Sequence, residues 1–391
     1  MASNIKQVDR ISLNEILERQ IRTRELTNQK ELDALIVVGR SAYDRPGHLA
    51  YLTNHFPPFP STPFTETDRG MGYGILFLPI EGTSTLLVDQ PSEAALRKDL
   101  VAVDEVQVAP DMISSLISLL ETRKVQRLGI AGEDLLPATI YRHLIEALPK
   151  LHTQTAEKIL NIQRLIKSEA EISLLAKAAK IAEVGHQAAL QILKPGVREN
   201  EICAAGTAGA LQAGADFVRY FRVSSDPEVA TTMRWPQASN RVIQAGEIVM
   251  MDIIGAYQGY QFDVFRAAVA GEPNQEKRRL LEAVVQASEA SVAATQAGVS
   301  AEDLVKVAQD IFQKGQYVPY SRSFMGHGIG LETVEPPLIS PGDHTILQPQ
   351  MVLCIEPGLR IPGIGGCCIE QEVVVRETGP ELLTEFPIRL W

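Results

Sequence analysis

The 391-residue sequence is poor in cysteine and has no long apolar run. Its four cysteines, Cys203, Cys354, Cys367 and Cys368, show no CxxC spacing and form no disulfide framework. No window approaches the length of uninterrupted apolar residues that a membrane helix needs, and the first residues lack the charged-then-apolar order of a signal peptide. We therefore expect a soluble cytoplasmic protein without a membrane partner.

Positively charged residues are also fewer than negatively charged ones. The sequence has 37 Lys and Arg residues against 48 Asp and Glu residues, a formal net charge of −11. Nucleic-acid-binding surfaces are basic, so nucleic acid is not an expected partner. With 45% hydrophobic and 22% charged residues the composition is that of a globular protein, and the length predicts two or three domains.

The first part of the chain alternates short apolar runs with helical patterns, which indicates an α/β domain. The predicted strands are 32–38, 74–78, 84–88 and 128–131. Gly39 alone follows the first strand, so the GxGxxG fingerprint of a dinucleotide site is missing. The four prolines within 56–64 predict an irregular surface loop, which either connects elements or lies over a site.

A second domain is predicted to begin near residue 160. Ser168 and Glu171 form a capping-box pattern, and the helix that they open is predicted to stop at Lys194-Pro195-Gly196. We therefore assign residues 1–158 to the N-terminal domain and 159–391 to the C-terminal domain.

The C-terminal domain contains a faint internal repeat. Each half is predicted to run helix, Gly-Val turn, helix, and then a hairpin that carries two carboxylates. The equivalent positions are Gly196 and Gly298, Asp252 and Glu356, and Asp263 and Glu370, with separations of 102, 104 and 107 residues.

The first hairpin is predicted to bury a pair of aspartates. Apolar residues surround Asp252 in the strand 248–254, where an unpartnered charge is costly. A tight turn centred between Tyr257 and Gln258 places Asp252 directly opposite Asp263, with the two Cβ atoms about 4.5–5.5 Å apart. Two carboxylates this close repel each other unless they share a proton or a cation.

The second hairpin and a glycine-flanked histidine complete the pattern. A turn centred on Gly363 sets Glu356 opposite Glu370, and His327 lies between the hairpins with glycines on both sides. Carboxylate oxygens with one imidazole suit two divalent cations about 3.5–4 Å apart. Each hairpin alone is also compatible with an acid dyad or with a surface pair, and a lone histidine with a structural role.

These residues resemble the creatinase, prolidase and aminopeptidase P family, the M24 pita-bread metallohydrolases. The matching motifs are 246–252, 260–266, 326–332, 355–358 and 366–370. The resemblance covers nearly the whole chain and implies an α+β fold, in which a creatinase-type α/β N-terminal domain precedes a pseudo-two-fold pita-bread catalytic domain. It implies a homodimer with two Mn, Co, Zn or Fe ions, and it places the metal ligands at Asp252, Asp263, His327, Glu356 and Glu370.

The sequence departs from the family pattern at three positions. Peptidases of this group carry a histidine 17 residues before the first aspartate, where this sequence has Trp235. A second histidine is replaced by Val334, and the arginine common before the last glutamate is replaced by Cys368. Losing a group that stabilises a transition-state oxyanion costs about 10²–10³ in kcat, so these replacements predict weak or no cleavage of proline dipeptides.

The leading hypothesis is a metal-dependent hydrolase of an amide-type C–N bond in a short peptide or small molecule. Glu356 is the candidate for proton transfer, and Glu335 is a second candidate for a catalytic carboxylate. Candidates for substrate binding are Trp235, Arg234, Val334, Tyr51 and His55. The Trp235 ring suits a flat or cationic substrate.

Other functions stay open from the sequence alone. Family members that act on creatine or ectoine favour a non-peptidase hydrolase, and a metal-dependent lyase is a further alternative. A non-enzymatic binding platform is less favoured, because all five ligand positions are retained.

Overall fold

The computed structural model describes residues 10–58, 72–90, 99–225 and 236–391. The chain divides into two compact units, Ile11–Arg164 and Leu165–Trp391. The boundary predicted after residue 158 lies inside the helix Glu157–Leu165. Among the described helices, none is both long enough and apolar enough to cross a membrane.

The N-terminal unit is built around a six-stranded mixed sheet. Its described helices are α1 (Leu13–Gln29), α2 (Gly47–Thr53), α3 (Met112–Thr122), α4 (Ala138–Ala147) and α5 (Glu157–Leu165). Its strands are β1 (Ala34–Arg40), β2 (Tyr73–Pro79), β3 (Thr85–Val88), β4 (Glu105–Val108), β5 (Arg127–Ala131) and β6 (His152–Thr155). The strand order is β4-β3-β2-β1-β5-β6.

The four strands predicted for this unit are confirmed within one to two residues at most ends. Strands β4 and β6 escape prediction because their residues are polar and mostly solvent-accessible. Both lie at an edge of the sheet, where only one neighbour is available and no apolar run is needed. Of the predicted proline-rich loop, residues 59–64 lie outside the described residues.

The C-terminal unit begins with two helices and a three-stranded sheet. These elements are α6 (Glu169–Ile192), α7 (Glu199–Gln212), β7 (Phe217–Ser224), β8 (Ile248–Tyr257) and β9 (Tyr260–Val269). The predicted capping box is confirmed: Glu171 N donates to Ser168 Oγ over 3.1 Å, and Ser168 N donates to Glu171 Oε2 over 2.9 Å. Helices α6 and α7 pack on this sheet through a shared apolar core.

The second half repeats this plan with a more divided sheet. Its helices are α8 (Gln275–Ala294) and α9 (Ala301–Lys314), followed by β10 (Gly326–Gly328), β11 (Glu335–Leu338), β12 (Val352–Ile355), β13 (Gly358–Ile361), β14 (Gly365–Cys368), β15 (Gln371–Arg376) and β16 (Gly379–Leu382). Strands β11-β10-β12-β15-β16 form a five-stranded sheet, and β13 pairs with β14. A second apolar core lies under these elements.

Backbone hydrogen bonds confirm the predicted repeat. Gly196 N donates to Ile243 O, and Gly298 N donates to Leu347 O, both over 2.9 Å. Both glycines have a positive φ, 93° and 89°, which L side chains rarely adopt. The same turn therefore joins the helix pair to the strand region in each half, as the 102-residue spacing predicts.

Candidate metal centre

The first carboxylate pair lies on the hairpin of β8 and β9. Asp252 is 5% exposed and Asp263 is 6% exposed. Asp252 pairs with Phe265, and Asp263 pairs with Ile254. The prediction that the two aspartates are directly opposite is therefore wrong.

The physical reason is the position of the turn. Gln258 and Gly259 have φ of 50° and 77°, and they are the two central residues between the paired Tyr257 and Tyr260. Tight hairpin turns require such left-handed residues, and the glycine sets the centre one residue later than predicted. This moves each cross-strand partner by two residues, which preserves the face, so the aspartates are diagonal neighbours on one side of the sheet.

The second carboxylate pair follows the predicted register. The turn is centred on Gly363, Gly358 pairs with Cys368, and Ile355 of β12 pairs with Gln371 of β15. Glu356 and Glu370 lie between these paired positions, so they face each other as predicted. Glu370 N donates to Phe265 O over 3.0 Å, which joins the second hairpin to the first.

His327 enters the centre from β10, which runs between β11 and β12. A Cβ atom at Gly326 would lie 2.1 Å from Cys354 O, and one at Gly328 would lie 2.3 Å from Pro336 O. The flanking glycines are thus required by the neighbouring strands.

The orientation of the imidazole leaves one nitrogen free to bind a cation. His327 Nδ1 donates to Gly328 O over 3.0 Å, so the hydrogen in the neutral ring is on Nδ1. Nε2 lies 3.6 Å from Asp263 Oδ2 and 3.9 Å from the Oε1 atoms of both Glu356 and Glu370. The lone pair of Nε2 therefore faces the carboxylates.

The centre concentrates negative charge in a buried position. Burial and the charge of Asp263 raise the pKa of Asp252 well above its usual range. Burial and the charges of Asp263 and Glu356 do the same to the pKa of Glu370. Burial lowers the pKa of His327, but the negative charge of the neighbouring Asp263 outweighs it and the net shift is upward. The upward shifts of these three pKa values reflect an excess of negative charge among the buried groups.

Two observations test whether these residues fit a divalent cation. Ligand atoms of Asp252, Asp263 and Glu370 all lie within 4.8 Å of one another. Asp252 Oδ1 and Glu370 Oε1 are buried and have no hydrogen-bond partner within the described residues. Convergent carboxylate oxygens with unused lone pairs and an imidazole nitrogen are the donors that divalent cations prefer, so the residues fit. Ligand atoms of His327, Cys354 and Glu370 also lie within 4.8 Å of one another, which places the Cys354 thiol beside the same centre.

A cavity of about 300 Å³ opens onto these residues. Besides the four carboxylates and His327, its lining includes Arg219, Tyr220, Arg222, Arg322 and Val334. No sequence pattern predicts that Arg219 and Arg222 reach the cavity, because their strand β7 lacks regular alternation and contains a bulge between Val218 and Tyr220. The assignment of Arg222 to the site needs the β7–β8 register, which pairs Arg222 with Asp252.

The other residues predicted to bind substrate or to act in catalysis differ in whether they line this cavity. Arg234 and Trp235 lie outside the described residues. Val334 lines the cavity and is 55% exposed. Glu335 is buried, receives a hydrogen bond from Lys167 Nζ over 3.2 Å, and is not among the described residues that line the cavity. A catalytic role for Glu335 stays a prediction.

Tyr51 and His55 belong to the N-terminal unit and are buried there, at 2% and 4% exposure. The Tyr51 hydroxyl donates to Gln163 O over 3.3 Å, and Arg19 lies 4.2 Å from the centre of its ring. His55 N donates to Thr53 Oγ1 over 3.0 Å. These contacts lie within the N-terminal unit, and a part in substrate binding stays a prediction for both residues.

Comparison with known proteins decides the family. Residues 173–377, more than half of the chain, match metallopeptidase family M24. The chain belongs to family M24. Residues 19–166 match the creatinase/prolidase N-terminal domain.

Relatives of this M24 protein include peptidases of known structure. The Xaa-Pro dipeptidase of Pyrococcus horikoshii is 32% identical over 265 residues, which cover 67% of this chain and 74% of the relative. The crystal structure of the prolidase from Pyrococcus horikoshii OT3 matches with a TM-score of 0.84 and 26% identity over 96% of this chain and 100% of that one. The Xaa-Pro dipeptidase from Bacillus anthracis matches with a TM-score of 0.82 and 27% identity, again over 96% and 100%.

These similarities confirm two predictions from the sequence. The fold class is confirmed, a creatinase-type N-terminal domain followed by an M24 catalytic domain. The prediction of a metal-dependent hydrolase is confirmed at the level of the family.

Proposed function

We propose that this M24 protein is a dinuclear metal-dependent hydrolase that cleaves an amide-type C–N bond, with Xaa-Pro peptides as the first substrate class to test. The observation that carries the proposal is the convergence of four buried carboxylates with His327 Nε2 on one cavity. The proposed ligands are Asp252, Asp263, His327, Glu356 and Glu370. We further propose Mn, Co, Zn or Fe as the metal, a homodimer as the assembly, and the cytoplasm as the location.

Divalent cations at such a centre lower the pKa of water and polarise a carbonyl group, which together favour hydrolysis of an amide. The protein's own contribution begins with orientation. The Gly328 carbonyl fixes the His327 ring so that Nε2 faces the carboxylates. Phe324 lies against this ring with 5.9 Å between centroids and an interplanar angle of 19°, which limits its movement.

Glu356 is the proposed group for proton transfer. Its Oε2 atom accepts a hydrogen bond from Arg322 Nη1 over 2.9 Å, while Oε1 faces His327. Arg322 thereby fixes the rotation of the carboxylate and directs one oxygen into the cavity. From there Glu356 can accept a proton from the attacking water and return it to the leaving nitrogen.

The replacement of two family histidines by Trp235 and Val334 supports a second candidate, a small-molecule hydrolase that is not a peptidase. Val334 lines the cavity and offers no hydrogen-bonding side chain. A metal-dependent lyase would differ from both hydrolases in its products, since water is not incorporated.

The test is release of proline from Ala-Pro and Leu-Pro by full-length protein loaded with Mn or Co. We expect turnover that a chelator abolishes and that Glu356→Gln reduces by about 10² or more, as loss of a general base does. The exposed Glu377→Gln variant is the matched control and should keep full activity. Chelator-insensitive turnover, or equal activity of the two variants, would contradict the proposal. Absence of turnover by metal-loaded protein would favour the small-molecule hydrolase.

A further inference from the structure

Three guanidinium groups line the cavity that also holds the carboxylates. They belong to Arg219, Arg222 and Arg322. Arg222 and Arg322 each lie beside the first carboxylate of one hairpin: Arg222 Nη1 is 3.3 Å from Asp252 Oδ2, and Arg322 Nη1 is 2.9 Å from Glu356 Oε2. The two halves of the unit therefore repeat an arginine as well as the carboxylates.

Aromatic rings hold both guanidinium groups in place. Arg222 lies 4.3 Å from the centre of the Tyr220 ring, and Arg322 lies 5.7 Å from the centre of the Phe324 ring. Tyr220 and Phe324 also line the cavity. A guanidinium that is fixed in advance loses little conformational freedom when it binds a carboxylate.

The arginines have unused hydrogen-bonding capacity. Arg222 Nε and Arg360 Nη2 are buried donors without an acceptor in the described part of the chain. Burial lowers the pKa of Arg360, and the charges of Arg322 and Arg222 act in the same direction. The three guanidinium groups that line the cavity concentrate positive charge there, and such a cluster is stabilised by a bound anion.

Metal binding would increase the excess of positive charge in this cluster. Asp252 and Glu356 are the only acidic partners of Arg222 and Arg322 among the described ion pairs, and both are proposed metal ligands. Two divalent cations carry as much charge as the four carboxylates together. The arginines would then lack a counter-charge of their own.

Resting on the proposed hydrolase function, we propose that the substrate is an anionic amide with two carboxylates, bound through the cavity-lining Arg219, Arg222 and Arg322. A dipeptide with a glutamyl or aspartyl residue is the simplest such compound. A cationic substrate, which the sequence alone favours through Trp235, would be repelled by this cluster.

Matched substrates that differ only in charge test this proposal. Glu-Pro and Gln-Pro vary the charge on the acyl side, and Ala-Glu and Ala-Gln vary it on the amine side. We expect kcat/KM to be about 10- to 100-fold higher for the acidic member of at least one pair, which is the range for a hydrogen bond to a charged group. Equal rates within both pairs would overturn the proposal while leaving the hydrolase function intact.

A binding measurement separates this inference from the catalytic proposal. Glutarate, a dicarboxylate, and butyrate, a monocarboxylate, are titrated calorimetrically into the Mn-loaded full-length protein. We expect tighter binding of glutarate, with loss of about 10-fold or more in Arg219→Gln and recovery in Arg219→Lys. Exposed Arg279→Gln is the control, and metal content is measured in every variant.

The outcomes are distinguishable. Arginine-dependent binding of glutarate without hydrolysis of any amide would support the anion site and contradict the hydrolase. Hydrolysis of Ala-Pro with no preference for glutarate over butyrate would support the hydrolase and overturn the anion site. A loss of metal in Arg219→Gln without a change in glutarate affinity would show that this arginine only supports the metal centre, which also overturns the proposal.

Discussion

Asp252 and Glu370 each bury a carboxylate oxygen that has no hydrogen-bond partner within the described residues. Such groups cost free energy in a protein without a ligand, because desolvation is not compensated. The protein tolerates this cost at the residues that the proposed function needs. Stability and metal binding are therefore expected to respond in opposite directions when one of these carboxylates is removed.

Glu370→Gln is the variant that tests this opposition. It removes one negative charge from the cluster and keeps the shape of the side chain, so we expect the metal-free protein to have a higher melting temperature than the unmodified protein. The same change removes a proposed ligand, so added Mn should stabilise the variant less. Calorimetry of both proteins with chelator and with Mn measures both effects. A lower melting temperature in chelator would contradict the account.

The five proposed ligands could be predicted from the sequence because each lies in a short motif with a physical reason for its neighbours. Arg222 and Arg322 could not, since a single arginine in a strand or in a loop has many structural roles. Only the register that pairs Arg222 with Asp252, and the 2.9 Å contact between Arg322 and Glu356, assign these arginines to the cavity.

At the scale of elements, the two hairpins show where prediction from the sequence succeeds. The Gly363 turn is confirmed, because the Pro-Gly sequence before Ile364 leaves one plausible centre. The first turn is displaced by one residue, since the choice between Tyr257-Gln258 and Gln258-Gly259 depends on which residues adopt a positive φ. The alternation of side chains still places both aspartates on one face.

Close packing of α7 on β7 is a property that the sequence does not reveal. A Cβ atom at Gly206 of α7 would lie 1.6 Å from Cε1 of Phe221 on β7. Phe221 precedes Arg222, so this contact positions the strand that carries the arginine.

Gly206→Ala tests this packing. In an exposed helix the change would stabilise the protein by up to about 1 kcal/mol. Here we expect destabilisation of about 1–3 kcal/mol from overpacking, measured by urea denaturation. Phe221→Leu should recover part of this loss in the double variant, since it removes the atoms that clash. A Gly206→Ala variant as stable as the unmodified protein would show that the helix and strand are not closely packed.

At the scale of the whole molecule, the internal repeat explains how one chain assembles four carboxylates from distant positions. The two halves bring Asp252 and Glu356, 104 residues apart in sequence, to one cavity. The repeat was visible in the sequence through its spacing, whereas the division of the second sheet into separate sets of strands was not.

The pH dependence of stability follows from the buried negative charge. The pKa values of Asp252, Glu356 and Glu370 are raised by burial first, so these groups favour the folded state while protonated. Their contribution is complete below the pKa of an unfolded carboxyl, about 4, and is lost as pH rises through the folded-state pKa. We expect the metal-free protein to lose stability as the pH rises above about 4, with a smaller slope in Glu370→Gln.

Calorimetry across this pH range, with chelator present, measures that slope. Added Mn should reverse it, because deprotonated ligands bind metal more tightly. Stability that increases with pH in the metal-free protein would mean that the carboxylates are compensated by the protein itself.

Metal content tests the central claim most directly. Full-length protein is reconstituted with Mn, freed of excess metal, and analysed by inductively coupled plasma mass spectrometry beside Glu370→Gln and the control Glu377→Gln. The account predicts about two ions per chain in the unmodified and control proteins and fewer in Glu370→Gln. Metal-free protein after reconstitution, or equal content in all three proteins, would contradict it.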